Sequence, residues 1–78
     1  MSLYERVGWK IRSARRAKGY TQKDLAKKIG CSVSMIGGVE TGTRRITLAF
    51  LDKVATALDK DAMYFIVNRD TREERKRI

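Results

Sequence analysis

Histidine and proline are absent from this sequence, and cysteine occurs once, as Cys31. Without histidine and with a single thiol, the chain lacks the usual ligands of a zinc site, the imidazole base that activates a nucleophile, and any internal disulfide. No catalytic residue, metal or cofactor is therefore expected. Long apolar runs are missing as well. The longest, residues 62–67, is far short of the roughly 18 residues that cross a bilayer. The opening residues Met1-Ser2-Leu3-Tyr4-Glu5-Arg6 carry no apolar secretion segment. A cytoplasmic protein with no membrane partner is expected.

Acidic residues are also scarce. Nine Asp and Glu face 18 Lys and Arg in 78 residues, a formal charge of +9 that calls for an anionic partner. The excess is concentrated at the start. Arg6, Lys10, Arg12, Arg15, Arg16, Lys18, Lys23, Lys27 and Lys28 are opposed there only by Glu5 and Asp24. From residue 29 to 67 the signs balance, with Arg44, Arg45, Lys53 and Lys60 against Glu40, Asp52, Asp59 and Asp61. At 42% hydrophobic and 35% charged residues, the chain reads as one small, helix-rich globular domain.

Leu3, Val7, Ile11 and Ala14 recur at helical spacing and predict an amphipathic first helix that ends near Lys18-Gly19, with Gly19 as its cap. Thr21 and Asp24 form a variant capping box for a second helix that buries Leu25, Ala26 and Ile29. Gly30 stops it. Ser32 then caps a third helix, through Met35 and Ile36 to Val39 or Glu40. Thr41 to Arg45 read as a loop, after which Thr47 caps a fourth helix with apolar positions Leu48, Leu51, Val54, Ala55 and Leu58. Asp61 caps a short fifth helix over residues 62–67. Residues 68–78 hold one large apolar residue, Ile78, and read as a solvated, charged tail. The fold class is all-α, with five helices in a domain spanning 1–67.

Residues 22–39 place two short helices on either side of a glycine turn, the pattern of a helix-turn-helix. Ala26 suits the close crossing of the two helices, and Gly30 suits the turn. Leu25, Ile29, Ile36 and Val39 supply the apolar contacts, while Ser32, Val33, Ser34, Gly37 and Gly38 fall toward solvent. An ordinary helical hairpin is the alternative. Adjacent glycines cost a helix about 1 kcal/mol each, so Gly37 and Gly38 either let a backbone approach closely, ease helix packing, or fray the helix.

Ile11-Arg12 with Arg15, Gly19-Tyr20-Thr21-Gln22, Leu25-Ala26, Gly30, Ile36, Glu40 with Gly42, and the stretch from Leu51 to Leu58 follow one another in the order of a known family. In these landmarks the chain resembles the lambda-repressor-like helix-turn-helix family of phage repressors, Cro and XRE-type proteins. Ile36-Gly37-Gly38-Val39-Glu40, then Gly42, Arg44 and Ile46-Thr47-Leu48, are most similar to the restriction-modification controller proteins.

The resemblance implies a sequence-specific regulator of transcription, of the controller or the repressor type, that binds double-stranded DNA as a homodimer on an inverted repeat, located on the nucleoid. It implies that the third helix enters the major groove and that Gln22, with Lys23 beside it, rests on phosphates. Ser32, Val33, Ser34 and Gly38 would face base edges, with Thr43, Arg44 and Arg45 reading from the loop. Arg44 is the leading candidate, because arginine binds guanine bidentately for about 1–3 kcal/mol. Lys10, Arg12, Lys18, Lys27 and Lys28 are further candidates for neutralising phosphates. The resemblance also pairs Arg15 with Glu40 in a structural ion pair and puts Tyr64, Phe65 and Ile66 at a dimer interface. Closing the core is the alternative for those three. A protein-interaction module, such as an antitoxin whose DNA binding depends on a protein partner, is the alternative function. Membrane-surface binding through the first helix is disfavoured, because its apolar stripe is needed for the core.

Overall fold

The computed structural model describes residues 1–67. The expected tail, residues 68–78, lies outside the described residues. The helices are α1 (Leu3–Ala17), α2 (Gln22–Ile29), α3 (Val33–Thr41), α4 (Leu48–Ala57) and α5 (Ala62–Ile66). There is no strand among the described residues.

Each helix starts where a short polar side chain takes up its first free amides. The Thr21 hydroxyl accepts from the Asp24 amide, and the Asp24 carboxylate accepts from the Thr21 amide. Ser32 accepts from the amide of Met35, Thr47 from that of Phe50 and Asp61 from that of Met63. A second capping box, Ser2 with Glu5, opens α1. It follows the Ser-x-x-Glu pattern that sequence alone displays, yet it was not among the expected caps. The C-cap of α1 is Lys18, one residue before the expected Gly19. Gly30 ends α2 at φ 76°, a left-handed conformation that glycine adopts without strain. This turn sets α3 against α2.

The core joins Val7, Ile11 and Ala14 of α1, Leu25 and Ala26 of α2, and Ile36 and Val39 of α3 to Leu51, Val54, Ala55, Leu58 and Phe65. The helix α1 packs against α3 and α5, α2 against α3 and α4, and α4 against α5. At Gly8 the backbones of α1 and α3 come close together. A β-carbon built on Gly8 would lie 2.3 Å from the Val39 carbonyl oxygen and 2.6 Å from that of Glu40.

Four apolar expectations need correction. Leu48 is 77% exposed and Leu3 is 48% exposed. Both stand at the first position of their helices, where no further turn covers them. Ile29 is half-buried and packs at the core's edge. Phe65, expected at an interface, is 1% exposed and fills the core. In a helix of five residues only one side can meet α1 and α4, and Phe65 occupies it.

Candidate nucleic-acid interface

The helix-turn-helix is held from behind by one polar cluster. Arg15 reaches from α1 to the end of α3, where its Nε donates to Glu40 Oε2 at 2.6 Å and a terminal nitrogen donates to Oε1 at 3.1 Å. The other terminal nitrogen donates to the Tyr20 carbonyl at 2.6 Å. Gln22 completes the cluster by donating its amide to Glu40 Oε1 at 3.1 Å. Both members of the ion pair are buried. Every donor and acceptor therefore needs a partner, and among the described residues no buried side-chain polar atom is left without one. The pair ties α1, the start of α2 and the end of α3 into one unit.

Gln22 thus spends one amide hydrogen on Glu40 and keeps the second for another acceptor. It sits beside α3, since a β-carbon on Gly37 would lie 3.8 Å from its amide oxygen. Lys23 is exposed at the next position. Asp24 is also exposed, and the Thr21 backbone hydrogen bond holds its carboxyl below the usual carboxylate range. Negative charge therefore persists at this helix start at neutral pH, beside the Lys23 and Lys27 ammonium groups.

Ser32, Val33 and Ser34 are exposed at the start of α3. Val33 and Ser34 lie one turn before Gly37 and Gly38, so these four share one side of the helix. The loop after α3 folds back onto that side. The Gly38 carbonyl accepts the backbone amides of Thr43 and Arg44, both at 3.0 Å, and the Thr41 and Thr43 hydroxyls, both at 3.2 Å. Arg44 runs along α3 and donates to Met35 Sδ at 3.4 Å. Thr43, Arg44, Gly38, Gly37 and Gln22 are thereby brought together.

Gly38 is overlain by the Arg44 stem, since a β-carbon there would lie 2.8 Å from Arg44 Cγ. The contact of Met35 with Arg44 depends on a loop fold that the local sequence does not display. Arg45 is not part of this group. Its guanidinium lies 5.5 Å from the centre of the Tyr4 ring on α1, a cation–π arrangement.

On α5 Tyr64 is exposed, with the Lys60 ammonium 4.7 Å from its ring centre and that of Lys10 at 5.9 Å. Ile66 is half-buried and lines an apolar groove of about 360 Å³ with Leu3, Tyr4, Val7, Ile46, Leu48 and Leu51. Leu3, Leu48, Met63 and Val67 add exposed apolar surface that the expected interface did not include. Cys31 is half-buried, and burial pushes its thiol pKa up despite the nearby Lys53, so little reactive thiolate forms.

No helix among the described residues is long and apolar enough to cross a membrane.

The chain is similar to several known regulators. It is 42% identical over 55 residues to YazB, an uncharacterized HTH-type transcriptional regulator of Bacillus subtilis, covering 70% of this chain and 80% of that protein. Against longer curated relatives the match spans as little as 14% of the protein. Among solved structures, the restriction-modification controller protein C.AhdI from Aeromonas hydrophila superposes with a TM-score of 0.77 at 39% identity. That match covers 80% of this chain and 94% of C.AhdI. The biofilm master regulator SinR, solved in complex with DNA, superposes with a TM-score of 0.74 at 29% identity, covering 78% of this chain and 98% of that one. The helix-turn-helix family profile matches residues 11–65, and with these relatives it establishes that the chain belongs to the XRE-type, lambda-repressor-like helix-turn-helix family of transcriptional regulators, not to a family of enzymes.

Proposed function

We propose that the protein is a sequence-specific, double-stranded-DNA-binding regulator of the controller type, acting as a homodimer on an inverted repeat. One observation carries the reading. The exposed side of α3, the Gln22 end of α2 and the Arg44 side chain form one surface, and the buried Arg15–Glu40 pair fixes the elements that bear it. A duplex meeting that surface receives the start of α3 in its major groove. Ser32 and Ser34 offer hydroxyls, and Val33 offers a methyl-sized apolar contact for thymine. Arg44 supplies the bidentate guanine contact. Lys23 and the free amide hydrogen of Gln22 meet phosphates. The excess of basic residues in 1–28 supplies the sequence-independent attraction.

The similarity to C.AhdI at 39% identity supports the controller assignment, and that to the DNA-bound SinR structure supports duplex DNA as the partner. The exposed apolar surface of Leu48 and Tyr64, with the half-buried Ile66 lining the groove beside Leu48, supports pairing with a second copy. A regulator that acts on DNA works where the DNA is, on the nucleoid in the cytoplasm.

Arg44→Ala tests the reading. Its expected effect on a selected duplex at about 150 mM salt is a loss of about 1–3 kcal/mol, with the base preference at one position of each half-site relaxed. Lys23→Ala, by contrast, should weaken all duplexes alike and flatten the salt slope by about one unit. Equilibrium titration of the two variants on matched and mismatched duplexes separates these effects. An Arg44→Ala variant with unchanged affinity and unchanged base preference would contradict the assignment.

A further inference from the structure

Two glycines inside a nine-residue helix call for a physical reason, and the two differ. A β-carbon on Gly37 would meet nothing nearer than the Gln22 amide at 3.8 Å. On Gly38 it would meet Arg44 Cγ at 2.8 Å, Cδ at 2.9 Å and Cβ at 3.3 Å. Arg44 therefore lies in a slot that exists because residue 38 has no side chain. The same residue's carbonyl anchors the amides of Thr43 and Arg44 and the hydroxyls of Thr41 and Thr43. Met35 Sδ closes the far end of the slot against the guanidinium.

We infer that Gly38 is a positioning residue for DNA recognition: it touches no base itself, and it holds Arg44 along α3 in the orientation that reads the duplex. The inference rests on the proposed function and replaces one part of the expected contact set, in which Gly38 faced a base edge directly. Its physical basis is pre-organisation. An arginine loses much rotamer freedom when it is fixed against a partner, and a side chain already seated on α3 loses less of it on binding.

The slot also separates recognition from stability. The atoms that an added methyl group would strike are mostly the flexible stem of Arg44, which swings away at little cost, and alanine is the better helix former. Gly38→Ala should therefore fold with a melting temperature equal to or above that of the wild type while its arginine is displaced.

The test is a double-mutant cycle with the full chain on a duplex selected by the wild type. Arg44→Ala is expected to reduce affinity by between about 5-fold and 150-fold, and Gly38→Ala by a comparable factor with the same base preference lost. In the Arg44→Ala background, adding Gly38→Ala should change affinity by less than about twofold. Additive losses, or a Gly38→Ala variant that keeps affinity and base preference, would overturn the inference. A wild type that selects no duplex would instead overturn the proposed function and the recognition role with it. The Arg44 Nε–H signal of the DNA-free wild type gives a reading independent of any variant. An ordered side chain is expected, unchanged in Gly37→Ala, and a freely averaging one would overturn the inference by itself.

Discussion

Arg15→Ala is expected to destabilise the domain by about 3–5 kcal/mol, the range found when one partner of a buried ion pair is removed. The Glu40 carboxylate would keep only the Gln22 amide, inside a site where its side chain is 2% exposed. The Tyr20 carbonyl would lose its donor as well. A domain of this size has a total stability of roughly 0.05–0.15 kcal/mol per residue, or about 4–12 kcal/mol for 78 residues, so the loss is a large share of the whole. With about 4–8 °C of melting temperature per kcal/mol for small domains, the midpoint should fall by at least about 12 °C. Thermal unfolding followed by circular dichroism measures this directly. Replacing both partners by Met removes the stranded charge and should recover most of the loss. DNA affinity measured well below the melting point should change little. A variant with wild-type thermal stability and lost binding would make Arg15 a DNA contact and contradict its structural role.

Gly8→Ala should be nearly as damaging, although alanine is worth about 1 kcal/mol more than glycine inside a helix. The new methyl group would lie 2.3 Å from one carbonyl oxygen of α3 and 2.6 Å from the next, and backbone atoms cannot rotate aside as side chains do. The α1–α3 crossing must open, pulling Val7 and Ile11 away from Ile36 and Val39. A loss of about 3 kcal/mol, at the upper end of the overpacking range, is expected by denaturant or thermal unfolding. Because Arg15 and Glu40 bridge the same two helices, their hydrogen bonds should weaken in this variant. Combining Gly8→Ala with Arg15→Ala should then cost less than the two losses added. Gly8→Ala with unchanged or raised stability would show that the crossing is looser than the structure has it.

The helices were legible because their signals are local. Thr21, Ser32, Thr47 and Asp61 cap the helices they were expected to cap, since a hydroxyl or carboxylate two or three residues before a free amide needs no tertiary context. Gly30 was legible for the same reason. Position around short helices was harder to read. Phe65 and Tyr64 are neighbours, with rings 5.2 Å apart and perpendicular, yet one closes the core and the other is exposed. Five residues contain too little periodicity to separate them. Leu3 and Leu48 fit the apolar stripes, but a first helical residue is covered only if a neighbouring element reaches it.

Contacts far apart in sequence were beyond local reasoning. Gly8 meets α3 across more than thirty residues of chain, and nothing within α1 marks it as the crossing point. The pairing of Arg15 with Glu40 came from family resemblance, because the residues themselves show only an arginine at the edge of an apolar stripe. The roles of Gly38 and Met35 depend on the loop after α3 returning to the helix it has just left. What sequence displayed there was the oddity of two adjacent glycines in a helix, without the reason for it.

Selection of bound sites from a randomised duplex library at about 150 mM salt, where non-specific phosphate binding is weakened, decides whether this domain reads a DNA sequence. An enriched inverted repeat with half-site centres about one helical turn apart, with a guanine preference lost in Arg44→Ala, is expected. Binding at low salt with no enriched sequence would contradict it, leaving a charge-driven binder with no operator of its own.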